Sequence, residues 1–509
     1  MITLRIMAKP RNKIAPREIR DIRFPTSHVP EKSAASETPL RKVRPVPAPF
    51  RKAPILSRRR FPTKLIAIFF CLALATAVAV GVFWYRNKVE QASHVQQALV
   101  GANLTASSSS LPSSLGGWLS LIKGVFAGLG GAFGDSPLQA IGALDSASFL
   151  LKDIPSRLLA NDGPGVVAGL SDLRDSLGIL GDFLESMSES GEGPYGLAGL
   201  SEYAAYAPDL ERTRTVVERL LFLLKSPGEH HVLVLFGNSA ELRPGGGFLG
   251  SFADISFGDS TIGDIVVHDI NEVDRGLAAN IVPPKQMQGI VTRWRAADAN
   301  WFFDYPESAQ KTLELMGRSS FYASSSLDGA ILISPKVVQD LLLATGPIYL
   351  NEGKTMVDAD TVMPMIQSEV QAGQASGAEN PKEILAKLLP PLEEKLQNLG
   401  SAELEKLMIS ARSWISNRDV AIFMADAELM KIISYYHADG GSYVVPQSFS
   451  GDYFAAVNAN LGGGKSDARI SDTIDLESDL RVDGVIESRV AVIRENNATA
   501  KDEWWYRVT

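Results

Sequence analysis

Cysteine is almost absent: Cys71 is the single one in 509 residues. One thiol excludes an intramolecular disulfide framework and any cysteine-built zinc site. Histidine is scarce as well, with six copies and no H-E-x-x-H or other His–carboxylate ligand spacing. A zinc hydrolase is therefore not expected. His230 and His231 stand together at the entry to a strand-like run. Positive charge is missing from most of the chain. Residues 1–64 hold 17 Lys and Arg against 4 Asp and Glu, a net of +13; the remainder holds 33 against 54, a net of −21. An acidic body argues against nucleic acid as a partner of the main body. The composition is otherwise ordinary, 45% hydrophobic and 21% charged. That excludes wholesale disorder, and the length allows roughly two to four domains.

One long run has no charge at all: Leu65 to Tyr85, LIAIFFCLALATAVAVGVFWY. At a rise of 1.5 Å per residue it reaches about 32 Å, which matches a hydrocarbon core of about 30 Å. Trp84 and Tyr85 mark one interface, while Arg58, Arg59, Arg60 and Lys64 crowd the other. Cations stay inside, so the expectation is a single-pass anchor with a cytoplasmic N-terminus and the body outside the cytoplasmic membrane. A cleaved signal peptide fits poorly, because some sixty residues precede the run. Cys71 lies within it as a lipid-facing or packing residue. Residues 1–64 carry ten prolines and are basic, which predicts a disordered tail whose cations rest on the inner leaflet. A second apolar stretch, 118–133, contains Lys123 and four glycines. A central lysine costs about 2.5–3.5 kcal/mol on insertion, so a buried or interfacial helix is expected there rather than a second span.

Beyond the anchor the expected fold class is α+β or mixed α/β. Residues 86–227 read as a helical stalk or bundle. Apolar positions recur at helical spacing through Ile141, Leu144, Phe149 and Leu150, then through Leu170, Leu173, Leu177, Leu180, Phe183 and Leu184. Asn161 to Gly165 breaks this into a hairpin, and a third helix runs from about Pro208 to Lys225. Residues 228–350 read as a mixed α/β head. HVLVLFGN at 231–238 is apolar and β-branched like a buried strand, followed by strands at 248–257 and 261–270. AILIS at 330–334 leads into a helix that starts at Pro335 and stops at Gly346-Pro347. Residues 351–439 return to helix. Residues 440–509 read as β-rich, with Asp483-Gly484 as a hairpin signal. The aromatic end, Trp504 to Thr509, reads as a strand that either pairs at an edge or is cut short.

Four motifs stand in order along this body: FGNSAELRPGGGFLGSF at 236–252, RAADANW at 295–301, SLDGAILISPKVVQDLLLATGPI at 326–348, and DYFAAVNANLGGGKSDARIS at 452–471. In these residues the chain resembles a bacterial membrane-anchored family called domain of unknown function 4012. The resemblance implies an envelope protein and further β structure after this chain's last residue; it lends no established activity. More distantly, the acid-x-Arg turn at Glu241-Leu242-Arg243 is similar to that of LytR-CpsA-Psr envelope proteins. Those proteins transfer lipid-pyrophosphate-linked glycopolymer to the cell wall, using arginines, acids and a divalent metal. The present chain lacks their second arginine cluster with its adjacent Asp.

Candidate chemistry centres on Arg243 and the glycines 245–247. A guanidinium fork suits phosphate or carboxylate, and bare glycine N–H groups add an anion-binding nest. Glu241 either takes a metal or pairs with an arginine. The competing reading is a structural turn, with Glu241 salt-bridged and Gly245, Gly246 and Gly247 supplying positive φ. Arg293, Arg295, Asp298, Asn300 and Asp304, near Trp294 and Trp301, either line a sugar or phosphate groove or form a solvated loop. Asn458, Asn460, Lys465 and Asp467 order a turn or meet a partner. Gly464-Lys465-Ser466 is no P-loop, because Ala459 stands where the first glycine is required. Ser239 is no nucleophile elbow, because Glu241 replaces the second glycine. Two functions remain open: a binding or scaffold module at the cell wall, and a phosphotransferase in which Arg243 grips pyrophosphate with Glu241. Partners are then the bilayer and a cell-wall glycopolymer or polyprenyl-linked glycan. A divalent cation such as Mg is implied only by the second function; no metal ligands are assigned.

Overall fold

A computed structural model describes residues 2–5, 136–159, 162–189, 207–323, 325–351, 353–377, 382–397, 401–449, 453–462 and 464–507. The expected anchor at 65–85, nearly all of the basic tail, and the stretch 118–133 lie outside the described residues. Among the described residues no helix is long and apolar enough to cross a membrane. Two compact units divide the chain: Met1–Arg60 with Asp472–Arg494, and Phe61–Ser471 with Glu495–Thr509.

The larger unit is mixed α/β. Helices α1 (Ser136–Leu159) and α2 (Gly163–Glu189) form the expected hairpin, and α3 (Ala207–Lys225) joins them. At the hairpin's bend the Asp162 carboxylate accepts the Gly165 N–H at 2.9 Å. On α2 the buried stripe is Val166, Leu170, Leu173, Leu177, Leu180 and Phe183. From Val166 to Leu180 these spacings alternate four and three, as in a coiled-coil seam. The opposing stripe of α1 differs from the expected one. Ala140, Ala143, Ala147, Leu150 and Ile154 are buried, while Phe149 is 64% exposed. Small residues of α1 face the larger side chains of α2 along most of this seam. A Cβ on Gly169 would already lie 3.0 Å from Ile154.

A five-stranded sheet follows, built from β2 (His230–Asn238), β3 (Phe248–Gly258), β4 (Thr261–Asp269), β5 (Ser326–Ile333) and β8 (Val420–Met424), in the order β4-β3-β2-β5-β8. The β2–β5 pair is parallel and the other three are antiparallel. Central β2 explains the unbroken apolar run of the sequence. Val232 and Val234 enter the core shared with α1–α3, whereas Leu233 and Leu235 enter a second core on the other face. Both faces are covered, so no polar alternation survives. Each such fully buried side chain contributes about 1.5–3 kcal/mol.

The first face is also covered by α6 (Pro335–Thr345), α8 (Glu383–Gln397) and α9 (Ser401–Ser416). Ser334 caps α6 and Gly346 ends it at φ 79°, as the stop signal required. The second face carries α4 (Ile270–Gly276), the segment around Trp294 to Ala299, and α5 (Tyr305–Gly317). Strand β8 lies in the stretch that reads as helical, 351–439. Five residues give too short a period-2 signal to compete with the flanking helices, and pairing to β5 decides the matter. A small hairpin pairs β6 (Ile348–Leu350) with β7 (Thr355–Val357), and α7 (Val362–Ala375) follows it.

Three further segments depart from expectation. Residues 453–461, read as strand, form an irregular segment, and Trp504–Arg507 form a helical turn, α11, rather than a strand. Ala427–Tyr435, inside the stretch read as helical, form α10 as expected, capped by Asp426. Strands β9 (Ile470–Leu480) and β10 (Ile486–Asn496), most of whose residues belong to the smaller unit, make the hairpin that Asp483-Gly484 signalled, with Gly484 at φ 84°. Four residues of the expected disordered tail, Ile2–Arg5, form β1 and pair parallel with β9, Ile2 opposite Asp472.

Candidate functional site

The turn between β2 and β3 is fixed by its own backbone. The Asn238 side chain accepts the Ala240 N–H at 3.1 Å, and Glu241 and Phe248 close the loop on each other through a 2.9 Å N–H···O bond. Gly246 and Gly247 have φ of 116° and 137°. A Cβ on Gly247 would stand 2.7 Å from the Asn238 backbone, and one on Gly245 would stand 2.0 Å from Asn300 Oδ1. Positive φ and close approach therefore both demand glycine here. Two of the three N–H groups are occupied. Gly245 donates to the Asn300 carbonyl at 3.2 Å and Gly246 to that of Arg243 at 2.9 Å.

Arg243 lies inside this turn, only 7% exposed. Its Nη1 donates to the carbonyls of Asn460 at 2.6 Å and Leu242 at 3.1 Å. Its Nη2 donates to Glu241 at 3.3 Å and Asp298 at 3.2 Å. The guanidinium also sits 5.0 Å from the centre of the Phe248 ring. Glu241, equally buried, takes Lys465 Nζ on its other oxygen. Asp298 receives Arg295 at 3.3 Å. Three cations and two carboxylates are thus threaded on one chain of contacts, and Asp467 adds a third carboxylate beside it. Its Oδ2 accepts the Leu242 N–H at 3.0 Å and the Asn460 amide at 2.8 Å. Asn460 in turn donates its backbone N–H to Leu242 at 2.9 Å. The result is a charge-balanced clasp that pins Asn460, Lys465 and Asp467 onto the 239–247 turn.

The clasp gathers Glu241, Arg243, Asp298, Asn460, Lys465 and Asp467, with Arg295 at its rim. Asn300 supports it from behind, donating to the Gly247 carbonyl at 2.9 Å. The remaining candidates stand apart from these bonds. Arg293 is exposed and donates to the Leu277 carbonyl at 3.3 Å. Asp304 caps α5 and accepts both the N–H and hydroxyl of Ser442 at 2.9 Å. Asn458 is half-buried and joins none of the clasp bonds.

Several important residues escape sequence reading. Asp274 accepts the N–H groups of Ala296 at 2.7 Å and Ala297 at 3.4 Å, which holds the 296–298 turn in place. Burial pushes its carboxyl above the usual range despite those bonds. Lys382 bonds the Gly250 carbonyl and Asp269, and burial lowers its pKa. His231, Asp254 and Tyr322 form a buried chain across the sheet. His231 Nδ1 lies 2.7 Å from Asp254, whose other oxygen accepts the Tyr322 hydroxyl at 2.8 Å. Burial opposes charge on His231, but the bond to Asp254 and its negative charge outweigh it, so the imidazole pKa is raised. Burial, and then Asp254, raise that of Tyr322. The adjacent histidines were the one visible signal; nothing local pointed to Asp254 or Tyr322.

A divalent cation does not fit the clasp. Glu241 and Asp298 already share Arg243, with Lys465 and Arg295 on their outer oxygens. Among the described residues no group of three or more His, Cys, Asp or Glu side chains is arranged to hold a metal.

These features define a mixed-sheet α/β domain whose signature turn is locked by a buried ion cluster. Residues 227–370 match the family described as protein of unknown function (DUF4012). The match supports the family that the motifs indicated. It spans the first three motifs; the fourth, with Asn460, Lys465 and Asp467, lies beyond it. No curated protein and no solved structure matches the chain.

Proposed function

We propose that the protein is a single-pass membrane-anchored envelope protein whose extracytoplasmic head is a binding or scaffold module at the cell wall. The anchor rests on the uncharged run 65–85 and the cations that flank it. The non-catalytic reading rests on one observation: Arg243 is buried with both terminal nitrogens taken. To grip a pyrophosphate it would have to abandon Glu241 and Asp298 in a dry interior. Breaking a buried pair costs about 3–5 kcal/mol, a factor of roughly 10²–10⁴ in affinity.

A metal-assisted, LytR-CpsA-Psr-like phosphotransferase is the second reading, favoured by the convergence of Arg243, Glu241 and Asp298 on one spot. Binding of polyprenyl pyrophosphate to the full chain in detergent separates the two. The scaffold reading expects no binding. Binding that weakens at least tenfold in Arg295→Ala, with the fold intact by circular dichroism, would overturn the closed-clasp argument and favour the transferase reading, which transfer of the bound glycan by the chain would then have to complete.

The β1–β9 pair counts against the anchor, since a bilayer between residues 5 and 472 would keep those strands apart. Protease added to intact spheroplasts should digest the body and leave a fragment containing residues 1–85. A protected body would remove the proposed topology.

A further inference from the structure

Among the described residues strand β10 ends its sheet, whose order is β1-β9-β10. Every residue of β10 is exposed. Arg481 donates its N–H to the Val485 carbonyl at 2.8 Å, and Asn497 donates to that of Arg469 at 2.9 Å. Both bonds, with the facing serines 478 and 488 at 2.9 Å, fix one register, in which odd-numbered residues of β10 bond β9. Even-numbered residues therefore turn their N–H and C=O groups to the open edge. An edge this long, with no proline and no bulge, is a template for another strand.

We propose that this edge pairs antiparallel with the same strand of a second copy, about a two-fold axis at Val492. Symmetry and hydrogen-bond phase allow only registers in which even residues face even residues. Centring on Ala491 would set Glu487 against Glu495. Centring on Arg489 would set that arginine against itself. Centring on Val490 or Ile493 leaves both Arg489 and Glu495 without an opposite charge. Centring on Val492 places Arg489 of each copy opposite Glu495 of the other, twice, at positions where side chains approach most closely. It also joins nine residues, 488–496, along nearly the whole strand. Neither Arg489 nor the Glu495 carboxylate has an ion-pair partner among the described residues, so both are free to make this contact. Val490 and Val492 share one face with Leu476 and Ile486, all exposed. Pairing would extend that apolar face across the axis, and the acidic residues Glu477, Asp479 and Glu487 would stay on the wet side.

The test uses the full 509-residue chain in detergent. In a Cys71→Ser background, Val492→Cys should form an intermolecular disulfide under mild oxidation. Its two Cα atoms would lie about 5.5 Å apart, within disulfide reach. Ile486→Cys, far from the axis, should not. Arg489→Glu and Glu495→Arg should each weaken self-association about tenfold, and the double variant should restore it. A chain that sediments as a monomer, with the thiol of Val492→Cys still reduced after oxidation, overturns the proposal. So does a double variant no better than either single one.

Discussion

The clasp around Arg243 and the β9–β10 hairpin both carry oppositely charged residues on neighbouring segments, yet they use them oppositely. In the clasp the charges are buried and bonded on nearly every side, so removing one leaves a buried partner short of a bond. In the hairpin the charges are wet, and Arg481 pairs with Asp483 at 3.4 Å with both side chains more than half exposed. Identical chemistry is worth several kcal/mol in one place and almost nothing in the other, because water is the alternative partner only where it can enter.

The sharpest way to break that contrast is Arg243→Ala. It leaves buried Glu241 with Lys465 alone and buried Asp298 with Arg295 alone, and should lower unfolding stability by about 3–5 kcal/mol in a denaturant titration. A loss under about 1 kcal/mol would show that the clasp is as wet as the hairpin. Next comes Gly245→Ala, whose Cβ would collide with the buried Asn300 side chain. Overpacking of this kind should cost about 1–3 kcal/mol, and Gly484→Ala in the open hairpin turn less.

His231 extends the comparison to pH. Its folded pKa is raised, so its stabilising effect is complete below its ordinary value of about 6.5 and fades as pH climbs through the folded value. Chemical denaturation from about pH 5 to 9 should show this fall, and His231→Gln should flatten it. The smallest effect belongs to Arg481→Ala, expected within about 0.5 kcal/mol and insensitive to about 0.5 M salt. A larger loss there would mean that the exposed pair holds the turn.

Local signals served well wherever the cause was local. The α6 boundaries followed from Pro335 and Gly346, the hairpin turn from Asp483-Gly484, and the β2 strand from its unbroken apolar run. They failed where a distant partner chose the structure. Phe149 looked like core, but the α1–α2 seam buries alanines instead. Val420–Met424 looked helical until β5 offered an edge. In the candidate site, Glu241 and Arg243 were visible as a pair in the sequence. Asp298 was visible as a polar group, and so were Lys465 and Asp467. Their meeting was not, since 55 and more residues separate them from Arg243 along the chain, and Asp274 and Lys382 carry no local mark at all.

By itself the sequence determined which segments are apolar enough to be buried and where the chain must turn, because propensity, periodicity and glycine sterics act over a few residues. It also set the charge contrast between tail and body. Whether Arg243 faces a ligand or a carboxylate was decided only by the tertiary structure. Desolvation depends on what the fold stacks above a side chain, and no short stretch of sequence contains that information.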